Sequence, residues 1–137
     1  MDTPDELLRR ATAGDAHACL HMGKRLMRGR SSTARNFEEA VEWFDRAARA
    51  GLPDARYWLG KCYLKGLGCL RDPAGGVSCL EQAAHAGHAA AALRLGLCFE
   101  SGLGAPKSTE LAAWWYRKAQ ALGEPRATEQ LLRLAKG

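Results

Sequence analysis

A chain of 137 residues, 47% of them hydrophobic, has the size and apolar content of one globular domain. The net charge of +5 leaves partner choice open, but the opening Met1-Asp2-Thr3-Pro4-Asp5-Glu6 is acidic with no apolar run behind it. That predicts neither a secretory signal nor a membrane span, and a cytoplasmic protein. Five cysteines fit the same placement: the number is odd, and Cys62, Cys79 and Cys98 fall where helical patterning asks for core residues. They are read as buried free thiols, not as a disulfide framework.

The first helix is signalled by Thr3-Pro4-Asp5-Glu6, which offers a capping hydroxyl, proline at the first helical position and glutamate three residues after the cap. It is expected to run to about Ala13 and stop at Gly14. A second helix spans about Asp15 to Met27, with Ala18, Leu20, Met22 and Leu26 at helical spacing, and Gly29 ends it. Asn36 and Glu39 form the next capping pair, ahead of a buried stripe made by Phe37, Ala40, Val41, Phe44 and Ala48. Pro53 opens a fourth helix with Tyr57, Leu59, Tyr63 and Leu64 as its bulky positions, and Asp72-Pro73 opens its partner. Gly75 and Gly76 lower helix stability there by about 2 kcal/mol relative to alanines, so the helix from Ala74 to Ala86 is expected to be the loosest. Further helices run from Ala89 to about Glu100 and from Ser108 to Leu122. A last one starts at Glu124-Pro125, with Leu131, Leu132 and Leu134 covering the end of the stack. No segment alternates apolar and polar residues as a strand would.

These helices repeat with a period of 36 residues. Ala47-Ala48-Arg49-Ala50-Gly51, Ala83-Ala84-His85-Ala86-Gly87 and Ala119-Gln120-Ala121-Leu122-Gly123 end alternate helices in phase. Gly23, Gly60 and Gly96 keep the same step, as do Gly29, Gly66 and Gly102, and a third column holds Ala40, Gly76 and Ala112. The first spacing is 37, and the extra residue falls in the polar stretch from Arg30 to Arg35, where insertion is cheapest. Such a period is that of a stacked helical array, in which no helix pair buries its own apolar face alone. Bulky side chains at Ala55, Gly60, Ala91 or Gly96 should overpack the joints.

The run Ala55-Arg56-Tyr57-Trp58-Leu59-Gly60-Lys61-Cys62-Tyr63-Leu64-Lys65-Gly66-Leu67-Gly68, followed by Asp72 and closed by Ala83 to Gly87, resembles the Sel-one-like repeat (SLR), a relative of the tetratricopeptide repeat. Residues 91–123 are a second close match and 15–51 a weaker third, with Met22 before the glycine and no second loop glycine. The resemblance implies an all-α, right-handed α-solenoid of antiparallel helix pairs. Three repeats, 15–51, 52–87 and 88–123, stand between half-repeat caps at 3–14 and 124–137. Gly76 departs from the family's usual alanine, Cys79 from an aromatic that Trp43 and Trp115 supply elsewhere, and Ser108 from the loop aspartate; the middle unit should pack less well for it. A cysteine-rich secreted branch pairs cysteines across each helix pair, and the cysteines here do not recur at such a spacing.

Signals for chemistry are weak. Gly66-Leu67-Gly68 and Gly102-Leu103-Gly104 lack the preceding strand and the Gly-Lys-Ser ending of a phosphate loop, and read as turns. His17 and His21 share a helix face, but no third ligand joins them and Cys19 points elsewhere, so no metal is expected. His85 and His88 flank Gly87 at a helix end, where satisfying terminal carbonyls is the expected role. No serine lies in a nucleophile elbow. No cofactor and no enzymatic activity are expected. A hydrolase acting on cell-wall-like or β-lactam substrates has only the link of some family members to such ligands in its favour, and nucleic-acid binding only the basic charge.

The remaining feature is surface. Lys24, Arg25, Arg28, Arg30 and Arg35 occur with no acid between Asp15 and Glu38, a cluster that would attract an acidic partner. In tetratricopeptide-like stacks the first helix of each pair lines the concave side. By that resemblance the binding face holds His17, His21, Lys24 and Arg28, then Tyr57, Trp58, Lys61 and Lys65, then Arg94 and Leu97. Trp58 is expected to be the freest ring, because Leu59 and Tyr63 already serve the apolar stripe. Trp114 raises the possibility of a second surface on the convex side. The expected function is a non-enzymatic module that docks an acidic or amphipathic polypeptide segment, as an adaptor, scaffold or regulatory subunit. A narrower form, which the resemblance to some bacterial members of the family implies, is the neutralising of a cognate toxin or secreted effector.

Overall fold

The computed structural model describes residues 3–29 and 36–137. Among them are eight α-helices and no strand: α1 Pro4–Thr12, α2 Ala16–Arg28, α3 Phe37–Arg49, α4 Pro53–Lys65, α5 Pro73–His85, α6 Ala89–Ser101, α7 Thr109–Ala121 and α8 Arg126–Lys136. The caps lie where the sequence put them. Thr3 and Glu6 exchange the two bonds of a capping box. Asp15, Asn36, Asp72 and Ser108 each accept a backbone N–H of the following turn. The basic residues Arg30 and Arg35, and the insertion beside them, lie outside the described residues.

Each helix packs on its neighbours in sequence, as a one-dimensional stack requires. First helices α2, α4 and α6 alternate with second helices α3, α5 and α7, and α1 and α8 take half-unit places at the ends. Two core clusters follow one another along this spine, one from Leu7 to Cys62 and the next from Leu64 to Ala127.

The joint inside each pair is set by the glycine column. A Cβ at Gly23 would lie 2.5 Å from the Phe44 ring, and one at Gly96 would lie 2.3 Å from the Tyr116 ring. Both rings are fully buried. In the middle unit the corresponding side chain is Leu80, which is smaller, and α5 moves onto α4 until the glycines themselves meet. A Cβ at Gly76 would stand 2.9 Å from Gly60 O, and one at Gly60 would stand 3.0 Å from Gly76 O. Gly76 is therefore what permits this approach, and it compensates for the lost aromatic bulk. The expectation that it loosens α5 counted only its helix propensity. Loop glycines lock consecutive units: a Cβ at Gly104 would fall 2.3 Å from Pro73 O, at the start of the preceding second helix.

One expected covering residue is not one. Leu131 and Leu134 pack against the core, but Leu132 is 60% exposed. It occupies the column of Gly23, Gly60 and Gly96, the position over which a second helix lies in the other units. No helix among the described residues lies over it.

Candidate partner-binding face

Three first helices present their side chains in register, so that Lys24, Lys61 and Leu97 form one column and His21, Trp58 and Arg94 another. Across these columns runs a chain of polar contacts. The Asp54 carboxylate on α4 accepts from Lys24 Nζ of α2 at 2.8 Å and from His88 Nε2 at 3.1 Å. His88 in turn caps α6, its Nδ1 accepting the Ala91 N–H at 3.1 Å. Since Nδ1 accepts, the ring proton sits on Nε2 and is donated to Asp54. Partial burial pushes the Asp54 carboxyl up, but the bonds from Lys24 and His88 outweigh it and hold the group below its ordinary value. One carboxylate thus ties the three first helices together.

Aromatic rings continue the layer. Tyr57 stacks on His88 with centroids 4.6 Å apart, and Trp58 stacks on Phe44 of the preceding unit at 5.8 Å with planes 16° apart. Lys61 Nζ lies 4.5 Å from the Trp58 ring and 5.1 Å from the Tyr57 ring, and Lys24 Nζ lies 5.9 Å from Trp58. Both ammonium groups therefore lie within cation–π reach of one indole.

Several predicted site residues are accordingly less free than expected. Trp58 is half-buried and serves as a packing ring between units, because α4 turns it onto Phe44, a neighbour with no counterpart in the local helical pattern. Lys24 is engaged by Asp54, and Tyr57 is covered by His88. His17, His21, Arg28 and Lys65 are exposed, Arg94 is half-buried and Leu97 is exposed. Among the described residues no carboxylate pairs with Arg28, Lys61, Lys65 or Arg94. His85 and His88 do not act on terminal carbonyls. His85 stands edge-on to Trp115 at 5.4 Å, and His88 occupies the N-cap position that Asp15 holds two units earlier. Asp54 and His88 were not singled out from the sequence as groove residues, although the register of Asp15, Leu52 and His88 marks the cap.

No group of three or more potential metal ligands gathers among the described residues. All five cysteines are unpaired. Burial pushes Cys62 and Cys98 up to about 11, which keeps these thiols protonated and unreactive. No described helix is long and apolar enough to cross a membrane.

The Sel1 repeat family profile matches residues 16–52, 53–88 and 89–124. The chain belongs to the Sel1 repeat family. Repeats of this family generally act as protein-interaction modules and typically form non-enzymatic helical scaffolds. The chain is similar to a Sel1 repeat protein from Oxalobacter formigenes, with 36% identity over 93% of this chain and 95% of that one and a TM-score of 0.79. It is also similar to a protective antigen of uropathogenic Escherichia coli strains that displays an SLR fold. There the identity is 31%, the TM-score 0.88, and the match covers 93% of this chain and 27% of the antigen. Cysteine-rich protein B of Helicobacter pylori shares the fold at 19% identity and a TM-score of 0.71, over 91% of this chain and 89% of that one. No curated protein matches the chain.

Proposed function

We propose that this Sel1 repeat protein is an adaptor or scaffold whose first-helix layer, the concave side of the stack, docks an acidic polypeptide segment. The observation that carries the reading is the set of cations, Arg28, Lys61, Lys65 and Arg94, with no carboxylate partner in the described residues. Lys61 is moreover held in place by two rings. A cation fixed by aromatic faces keeps its charge available and loses little side-chain entropy when a carboxylate arrives. Leu97 offers an apolar contact beside it, which suits a segment whose acids alternate with hydrophobic residues. The unpaired, protonated thiols support a cytoplasmic setting.

The test is affinity purification from the native source with the wild-type chain and with Lys61→Glu combined with Arg94→Glu, read by mass spectrometry. Both substitutions reverse charge and leave the Trp58 and Phe44 side chains in place, while Lys61→Glu also removes the cation over the Trp58 ring, so circular dichroism is used to verify the fold of the variant. A partner lost from the variant and released from the wild type by salt supports the reading. Equal recovery by the folded variant would refute it.

A further inference from the structure

The repeat supplies its own background against which a surface can be judged. On the solvent face of α7, Leu111 and Trp114 are each 46% exposed. One and two periods earlier the same positions hold Gly75 and Ser78, then Glu39 and Glu42. The fold therefore does not require apolar side chains there. They border an open depression of about 490 Å³ that Glu110, Trp115 and Arg117 also line. Trp114 makes an edge-to-face contact with Trp115 at 4.8 Å, which orients its ring.

The charges around this ring are arranged symmetrically along the helix. Glu110 precedes Trp114 by four residues, while Arg117 and Lys118 follow it by three and four, and at these spacings all lie on one face. Glu110, Arg117 and Lys118 are exposed, and none has an ion pair among the described residues. A face that is acidic on one side of its midpoint and basic on the other matches itself when turned end for end.

We propose that α7 is a dimerisation surface whose occupant is a second copy of this chain, packed antiparallel about a two-fold axis beside Trp114. Glu110 of each copy then meets Arg117 and Lys118 of the other, and the two Trp114 rings share the centre. In such an isologous contact every pair occurs twice, which makes the arrangement testable by charge exchange. The interface lies on the second-helix layer and leaves the first-helix face open, so it stands or falls separately from the docking proposed above.

Sedimentation equilibrium over a concentration series measures it. The wild type should show a monomer–dimer equilibrium, and Trp114→Ala should abolish it. Glu110→Lys and Arg117→Glu, each alone, place like charges opposite one another at two points and should weaken self-association about tenfold or more. An equimolar mixture of these two variants restores opposite charges at both points, and should associate more tightly than either alone. All three substitutions are on exposed positions, and circular dichroism verifies that the variants remain helical. A wild type that stays monomeric up to about 1 mM, a dimer untouched by Trp114→Ala, or a mixture no tighter than its components would each overturn the proposal. Binding of an unrelated protein to a strictly monomeric α7 face would overturn it equally.

Discussion

Replacing Gly96 by alanine tests the close approach of the paired helices most severely. Alanine should gain about 1 kcal/mol over glycine inside a helix. Its methyl would instead begin 2.3 Å from Tyr116 Cε1 and 2.4 Å from Cδ1, well inside the ~3.5 Å of ordinary carbon contact. The ring is poorly placed to yield. It is fully buried, and its hydroxyl donates to Glu100 at 2.6 Å, a carboxylate that also accepts from Arg133 at 2.6 Å. Overpacking of this kind costs about 3 kcal/mol at its upper range, leaving a net loss of about 2 kcal/mol. For a chain of this length the melting temperature should fall by about 6–8 °C, measured by calorimetry. The cost should shrink by about 1 kcal/mol or more when Gly96→Ala is made with Tyr116→Leu, which imitates the Leu80 of the middle unit. A Gly96→Ala protein as stable as the wild type, or strict additivity with Tyr116→Leu, would refute the reasoning.

The other expectations concern the polar links and the thiols. Asp54→Asn removes the ion pair with Lys24, and with the carboxylate 40% exposed the loss should be about 1 kcal/mol by urea denaturation. Because folding lowers the Asp54 pKa, its contribution is complete above the ordinary aspartate range near pH 4 and disappears as pH falls through the folded value. The gap between variant and wild type should be full at pH 7 and close as pH falls through the folded value, which lies below the ordinary aspartate range; a gap independent of pH would contradict this. Arg133→Ala frees Glu100, whose pKa the Arg133 hydrogen bond lowers first and the Tyr116 hydroxyl second. Amide exchange across α8 should then accelerate, and unchanged protection would show that the link does not hold the cap. Iodoacetamide at pH 8 should alkylate Cys69 of the native protein before the buried Cys62 and Cys98, which titrate near 11. Equal rates for all three would contradict their burial.

The fold was legible because its determinants recur. Gly23, Gly60 and Gly96 mark where rings or backbones of the second helices lie, and Thr3, Asp15, Asn36 and Asp72 mark starts by local chemistry that needs no tertiary context. What the middle unit does with Gly76 was not legible from propensity, because the benefit belongs to a contact with Gly60 on another helix. The binding face was legible as a set of columns and not as a network. Asp54 bonds to Lys24 thirty residues before it and to His88 thirty-four after it, and Trp58 finds Phe44 across a unit boundary. Helical periodicity tells which face a side chain leaves from. It does not tell which neighbour in the next repeat the side chain meets, so Trp58 and Lys24 read as free when both are engaged.

Photo-crosslinking in the source cells measures the docking face most directly, with the reactive residue placed at position 94 on α6 or, for comparison, at position 42 on the outer side of α3. The expected result is an adduct from position 94 alone, mapped to a stretch of the partner rich in Asp and Glu and lost when Lys61→Glu is added. An adduct from position 42 alone, or one from position 94 that maps to a basic stretch and survives Lys61→Glu, would contradict a first-helix face that captures acidic polypeptides.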